Sequence, residues 1–407
     1  MRARIITLCA APLTLALAAA APAHPQSAST SASSLSASSL SASSSPSWGR
    51  AATRFAQVDL VSDVKGRAAL TDPKLVNPWG LAMGATLWVS DAGTGSATVY
   101  TGGVGTVRKA PAQVSIPGGT PTGQVAYGGD AFTIKGRLGT APASFIFSSP
   151  SGAITAWSAK ADPAHAVIAA FTRGADYKGL ALMNTNRGTF LLAPSFSHGR
   201  VHVFDDDFTR VRLSRRQFRD PSLPRDYSPF NVEVVGGSVL VAYAKRDPAT
   251  GKAVAGRGAG FVSQFTPAGR YVRHLAARGP LNAPWGMTLA PAGFGAYGGA
   301  LLVGNFGDGW VNAYNARTGR YLGPLRRPDG KAVAIEGLWD LEPGTAQNGG
   351  TDAVWFSAGV SKAQHGLLGL LRPSSSSASP TATPSAGATP KPSASHSHQA
   401  PSGGYGY

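Results

Sequence analysis

The 407-residue chain carries 37 Lys and Arg against 20 Asp and Glu, a formal net charge of +17, and one cysteine, Cys9. Cys9 falls in a segment where Arg2 and Arg4 precede a mostly apolar run from Ile5 to Ala21 and the small-x-small triplet Ala21-Pro22-Ala23, which is the pattern of a secretory signal peptide over residues 1–23. A mature chain without cysteine excludes disulfides, thiol catalysis and cysteine-ligated metal; no later apolar run reaches the roughly 18–20 residues of a membrane span, so the expected location is secreted, extracellular or loosely wall-associated.

Residues 24–50 are almost all Ser and Ala, too poor in apolar surface to offset the entropy of ordering them, and are expected to form a disordered linker. A lone strand-like run follows, RFAQVDLV from Arg54 to Val61. Six short apolar openings come next: WGLAM from Trp79, TGQVA from Thr122, KGLAL from Lys178, FNVEV from Phe230, WGMTL from Trp285 and EGLWD from Glu336. Their start-to-start spacings are 43, 56, 52, 55 and 51 residues. Each opening is followed by a hairpin-like pair of β-rich runs, such as TLWVSD with ATVYTG and ALLVGNF with WVNAYN.

A fourth run follows the first five pairs: APAQVSI, AVIAAF, VRLSRRQF, YVRHLAA and YLGPLRR. Four strands per repeat of about 50 residues is the blade of a β-propeller. The sixth repeat lacks its fourth run, because the chain passes after Pro373 into a Ser/Pro/Thr-rich stretch, residues 374–407, expected to be a disordered tail. The predicted fold is therefore all-β: a six-bladed β-propeller over residues 51–373, with the N-terminal strand supplying the outer strand of the last blade.

The runs LVNPWGLA, DYKGLAL, LNAPWGMTLAP, ALLVGNFGDG, IEGLWDL and HGLLG resemble those of an uncharacterised family of secreted bacterial six-bladed propeller proteins related to NHL-type repeats. The resemblance spans residues 55–372. It implies the fold and export, and brings no established activity.

In a blade the first strand lines the channel, so the residue before each fixed Gly or Asn is expected to ring one mouth. Those residues are Trp79, Thr122, Lys178, Phe230, Trp285 and Glu336, with Lys178 opposite Glu336. Three aromatics with one cation and one anion suit a ligand site, although the same aromatics also suit a plug. Same-face hairpins add Asp91, His198, Asp308 and His365, the two Asp residues in glycine-rich turns where Asp caps its own backbone.

Calcium needs six or more oxygen ligands. The register offers only Glu336, with Asn231 one position in and Asp340 further along, so neither a metal nor a cofactor is expected. No GxSxG, HExxH or phosphate-cradling motif occurs. Glu336 and Asp340, four residues apart on one strand, would be separated by about 13 Å, beyond the spacing of a glycosidase pair. No catalytic residue is assigned.

Arg210, Arg212, Arg215, Arg216 and Arg219 form one basic cluster, and Arg317, Arg320, Arg326, Arg327 and Lys331 a second. The reading is a secreted, monomeric binding or scaffold propeller for a small molecule, glycan or peptide. Two alternatives stand beside it: an extracellular metal- or cofactor-dependent enzyme of the lactonase or sugar-dehydrogenase type, and a wall-associated protein that binds anionic polymers.

Overall fold

The computed structural model describes residues 52–374; the expected signal peptide, the whole linker and all but the first residue of the tail lie outside them. Six blade sheets are present, one per repeat, together with a separate two-stranded hairpin. The first blade consists of strands Pro78–Met83, Leu87–Asp91, Ser96–Thr101 and Arg108–Ser115. The second begins with Gln124–Ala126 and, after an inserted hairpin (Thr133–Gly136 with Gly139–Pro142), continues through Phe145–Ser148, Ala153–Trp157 and Val167–Phe171.

The third blade has only Ala181–Thr185, Gly188–Ser195 and Arg200–Phe204. The fourth contains Tyr227–Val235, Ser238–Arg246, Gly260–Phe265 and Tyr271–Ala277, and the fifth Pro284–Leu289, Leu301–Asn305, Val311–Tyr314 and Tyr321–Pro324. The sixth contains Leu338–Pro343, Val354–Gly359 and His365–Pro373, and its outer strand is Phe55–Ser62 from the N-terminal end of the described region.

Blade strands are buried on both faces because each sheet is stacked between two others. In the strand LWVSD, Leu87 and Val89 pack toward the sixth blade while Trp88 packs toward Phe145 and Trp157 of the second. Apolar cores of this kind fill the interfaces between adjacent blades all the way round. This double burial explains why the repeats read as near-continuous apolar runs rather than as alternating ones.

One expected strand is missing. VRLSRRQF does not form the outer strand of the third blade: the segment is irregular, held at its start by a bridge between Phe204 and Arg210 and by Val211 N donating to Val203 O at 2.8 Å, and at its end by Phe218 N donating to Gly269 O at 2.8 Å and Gln217 Nε2 to Ala268 O at 3.1 Å. Four of the eight residues in that run, Arg212, Ser214, Arg215 and Arg216, are exposed. Their hydration is worth more than an edge ladder that would bury only Val211 and Leu213.

The ring closes as expected. Phe55–Ser62 pairs antiparallel with His365–Pro373, and Phe55, Leu60 and Val61 are each at most 1% exposed. Beyond the strand, Asp63 accepts from His365 Nδ1 at 2.7 Å and from Gly366 N at 2.8 Å. Burying three such side chains contributes about 1.5–3 kcal/mol each, of the same order as the whole stability of a domain, about 5–15 kcal/mol. Deleting residues 51–64 should therefore abolish the cooperative melting transition, and a peptide spanning residues 52–64 added in trans should restore it. A truncated chain that melts like the full-length protein would show that the seam does not depend on this strand.

Candidate functional site

The inner strands crowd one another at the axis. A Cβ on Gly80 would lie 2.6 Å from Thr122 O, one on Gly286 would lie 2.6 Å from Trp339 O, and Gly123 abuts Gly179. None of these four has a positive φ, so glycine is required for close approach rather than for a left-handed backbone. In the fourth and sixth blades the same place holds Asn231 and Asp340, which use their polar atoms to tie blades together. Asn231 Nδ2 donates to Trp285 O at 2.8 Å, and Asp340 accepts from Leu81 N and Leu341 N, both at 2.8 Å.

The residue before this place sits in a β-bulge in the first, fourth, fifth and sixth blades. The bulge turns its side chain out of the inter-blade stack and over the channel mouth. Trp79, Phe230 and Trp285 meet there, and the sixth place belongs to Trp339. Leu338 pairs with Ala358 and Leu341 with Phe356, just as Pro78 pairs with Asp91 and Leu81 with Val89, so Trp339-Asp340-Leu341 corresponds to Trp79-Gly80-Leu81.

Glu336 lies three residues earlier, exposed, and accepts weakly from Lys362 N at 3.4 Å. Gly337, taken from sequence as the fixed glycine, is instead a turn residue at φ +65° packed on Gly359. The structure therefore brings Trp79, Lys178, Phe230 and Trp285 to one mouth and leaves Glu336 outside it.

The aromatics close that mouth. Trp339 is sandwiched between Trp79 (centroids 3.4 Å apart, planes at 19°) and Phe306 (4.3 Å, 22°), and Trp285 stands edge-on to Trp79 and Trp339 at 6.0 and 5.8 Å. Phe230 joins Trp339 to Phe196. Lys178 Nζ sits 5.6 Å over the Trp79 ring and pairs with Asp176 at 2.8 Å. Thr122 is turned into the inter-blade contact, its hydroxyl donating to Tyr177 O at 2.9 Å.

Behind the plug the channel opens into a cavity of about 400 Å³. Its lining includes Leu81, Val125, Leu182, Val234, Trp285 and three carboxyls, Glu233, Asp340 and Glu342, and no Lys, Arg or His. Each of the three side chains touches channel solvent while protein surrounds it, and each is raised chiefly by desolvation: Asp340 to about 7, Glu233 to about 8 with the Asp340 charge adding to the rise, and Glu342 well above the usual carboxylate range, with Asp340 and Glu233 both contributing. Two further cavity-lining side chains have buried atoms with no partner in the protein, Trp285 Nε1 and Gln124 Oε1.

Glu233 and Glu342 were not singled out from sequence. Aligning the sixth repeat on its tryptophan, WDLEP against WGLAM and FNVEV, places both at one position and would have found them.

The hairpin residues separate. Asp308 caps its turn, accepting from Asn305 Nδ2 at 3.0 Å and Trp310 N at 3.1 Å, and it also holds Asn282. Asp91 does not cap: it is fully buried, neither carboxyl oxygen has a partner, and burial pushes its carboxyl well above the usual range. His365 belongs to the closing seam through Asp63, whereas His198 lies on the flank of the third blade. Among the described residues no group of three or more His, Asp or Glu is arranged to hold a metal ion.

No family model matches the chain. It is 32% identical over 336 residues to uncharacterized protein R648 of Acanthamoeba polyphaga mimivirus, covering 79% of this chain and 80% of that protein. It is 33% identical over 327 residues to uncharacterized protein L690 of the same virus, covering 77% and 84%. The chain belongs to the family of these two proteins. Both relatives are viral, and neither name states an activity.

Among solved structures the chain is similar to a streptogramin B lyase (TM-score 0.44, 10% identity, 78% of this chain and 97% of the other) and to an α-L-arabinofuranosidase from Fusarium graminearum (TM-score 0.46, 10% identity, 78% and 98%). Identities this low say nothing of substrate.

The plug should carry stability. Trp339→Ala is expected to cost about 3–5 kcal/mol, as for other buried aromatics, and the half-buried Trp79→Ala less. Glu336→Ala should stay within about 0.5 kcal/mol of the parent, as exposed substitutions do. Denaturant unfolding of the three variants checks the order; a Glu336→Ala loss as large as that of Trp339→Ala would put Glu336 back in the ring.

Proposed function

We propose that the protein is a binding propeller whose ligand site is the central cavity behind the plug, and that the ligand is a small organic cation, a protonated amine. The observation that carries this reading is the lining: three carboxyls, the side-chain amides of Gln124, Asn184 and Asn231 beside aliphatic groups, and no basic residue, in a cavity within the roughly 300–1,000 Å³ range of ligand pockets. Without a positive partner the three acids retain protons near neutrality, and a bound ammonium would replace those protons.

An amine is preferred to a metal ion because the carboxyls line the walls without converging on one point. Export is part of the proposal, supported by the charged-then-apolar N-terminal segment. The basic clusters support contact with anionic surroundings.

Calorimetric titration with putrescine, calcium and a neutral pentose tests the reading. Putrescine should bind, more tightly at pH 9 than at pH 6, and Glu233→Gln or Glu342→Gln should weaken it at least tenfold. Calcium binding tighter than that of the amine, or binding of the pentose alone, would contradict it.

Stability should follow the same protons. Folded carboxyls raised to about 7 and 8 hold protons that the unfolded chain releases near pH 4, so their contribution is full below about pH 4 and is lost as pH rises toward 8. The melting temperature should fall between pH 6 and pH 9, by less in Glu233→Gln, and saturating putrescine should remove the difference. A Glu233→Gln variant with an unchanged pH slope would mean that the carboxyl titrates normally.

A further inference from the structure

The incomplete third blade leaves a flank open. Between its last strand and the outer strand of the second blade runs a groove of about 530 Å³, lined by Ala170, Phe171, Thr172, Arg173, His198, Phe204, Phe208 and Arg210. The floor is apolar: Phe204 and Phe208 are buried, and Phe208 stands edge-on to Phe132 of the inserted hairpin at 5.0 Å. On the wall, Phe171 ends an edge strand and is 64% exposed.

The rim is basic. Arg173, Arg210 and His198 line it, Arg200 stands close enough to act on both histidines, and no Asp or Glu joins them. None of these three arginines takes part in an ion pair among the described residues. In the adjoining acidic turn, Asp205 is occupied by the N–H groups of Asp207 and Thr209, while Asp206 and Asp207 neither line the groove nor pair with these arginines among the described residues. Exposed aromatic area beside unpaired guanidinium groups suits a ligand with a flat ring and a planar anion, because guanidinium and carboxylate form parallel paired hydrogen bonds.

We propose that this groove binds a small ring-bearing carboxylate, its ring against Phe171 and the Phe204/Phe208 floor and its carboxylate held by Arg173 and Arg210. Two neighbouring histidines register the field that such an anion would meet. His198 is lowered by burial and then by Arg200 and Arg210, and His202 is lowered to about 4 by burial, Arg210, His198 and Arg200. Their rings are 5.3 Å apart, and His202 Nδ1 lies 2.8 Å from Tyr177 Oη. An anion bound between the arginines cancels part of that field, so His198 should take up a proton more readily when the groove is filled. The groove shares no residue with the central cavity, so its failure would leave the cavity reading standing.

The test is an NMR titration of the imidazole C–H resonances of the intact protein with benzoate, glucuronate and acetate, His198 being assigned by difference with His198→Gln. Benzoate should shift the His198 resonance saturably and move its titration midpoint upward, and should do so at lower concentration than glucuronate, whose puckered ring cannot lie flat on Phe171. Arg173→Ser and Arg210→Ser, both at exposed positions, should each weaken that binding at least tenfold, while Arg320→Ser on the fifth blade leaves it unchanged. No saturable shift at His198, equal losses in all three arginine variants, or acetate binding as tightly as the ring-bearing acids would overturn the proposal.

Discussion

Six sheets that share one axis cannot all bring side chains to it, and the close approach of their inner strands is the constraint on which the rest of the molecule depends. Glycine satisfies it in four blades, where a Cβ would run into the neighbouring backbone. In the other two, Asn231 and Asp340 satisfy it by spending their polar atoms on the next blade. The bulges that allow this approach also turn Trp79, Phe230, Trp285 and Trp339 over the mouth. Plug and crowded ring are thus two results of one local geometry, and together they leave the cavity reached by the later residues of the inner strands.

Within that cavity the unusual feature is a set of carboxyls with no basic residue beside them. Buried carboxyls are ordinarily paired or hydrogen-bonded, because moving an isolated charge out of water is costly. Asp340 meets this requirement in part through two backbone N–H groups, whereas Glu233 and Glu342 meet it by holding protons. Protonation is a reversible solution that a cation can displace. On the proposed reading the cavity would couple cation binding and pH to the stability of the seam between the sixth and first blades, where Asp340 accepts from Leu81 N.

Much of the fold was legible because blades repeat. The six openings, the hairpins and the displaced strand RFAQVDLV follow from spacing and apolar pattern alone, and the pairing of Phe55–Ser62 with His365–Pro373 agrees with them. The site was less legible, for a specific reason. In EGLWDLEP the glycine invites alignment with the other openings, yet register is set by what fills the bulge, and the bulge holds Trp339. That three-residue difference removed Glu336 from the ring and kept Glu342 out of view. VRLSRRQF misled in the opposite sense: its apolar content matched a strand, but its exposed arginines had no reason to enter one.

The central claim is that protons on Glu233, Asp340 and Glu342 are exchanged for a bound cation. Calorimetry of putrescine binding at pH 7.5, repeated in buffers of different ionisation enthalpy, measures that exchange directly. The account predicts release of about one proton per ligand bound, lost in the Glu233→Gln/Glu342→Gln double variant. Binding with no proton release, or release unchanged in the double variant, would contradict it.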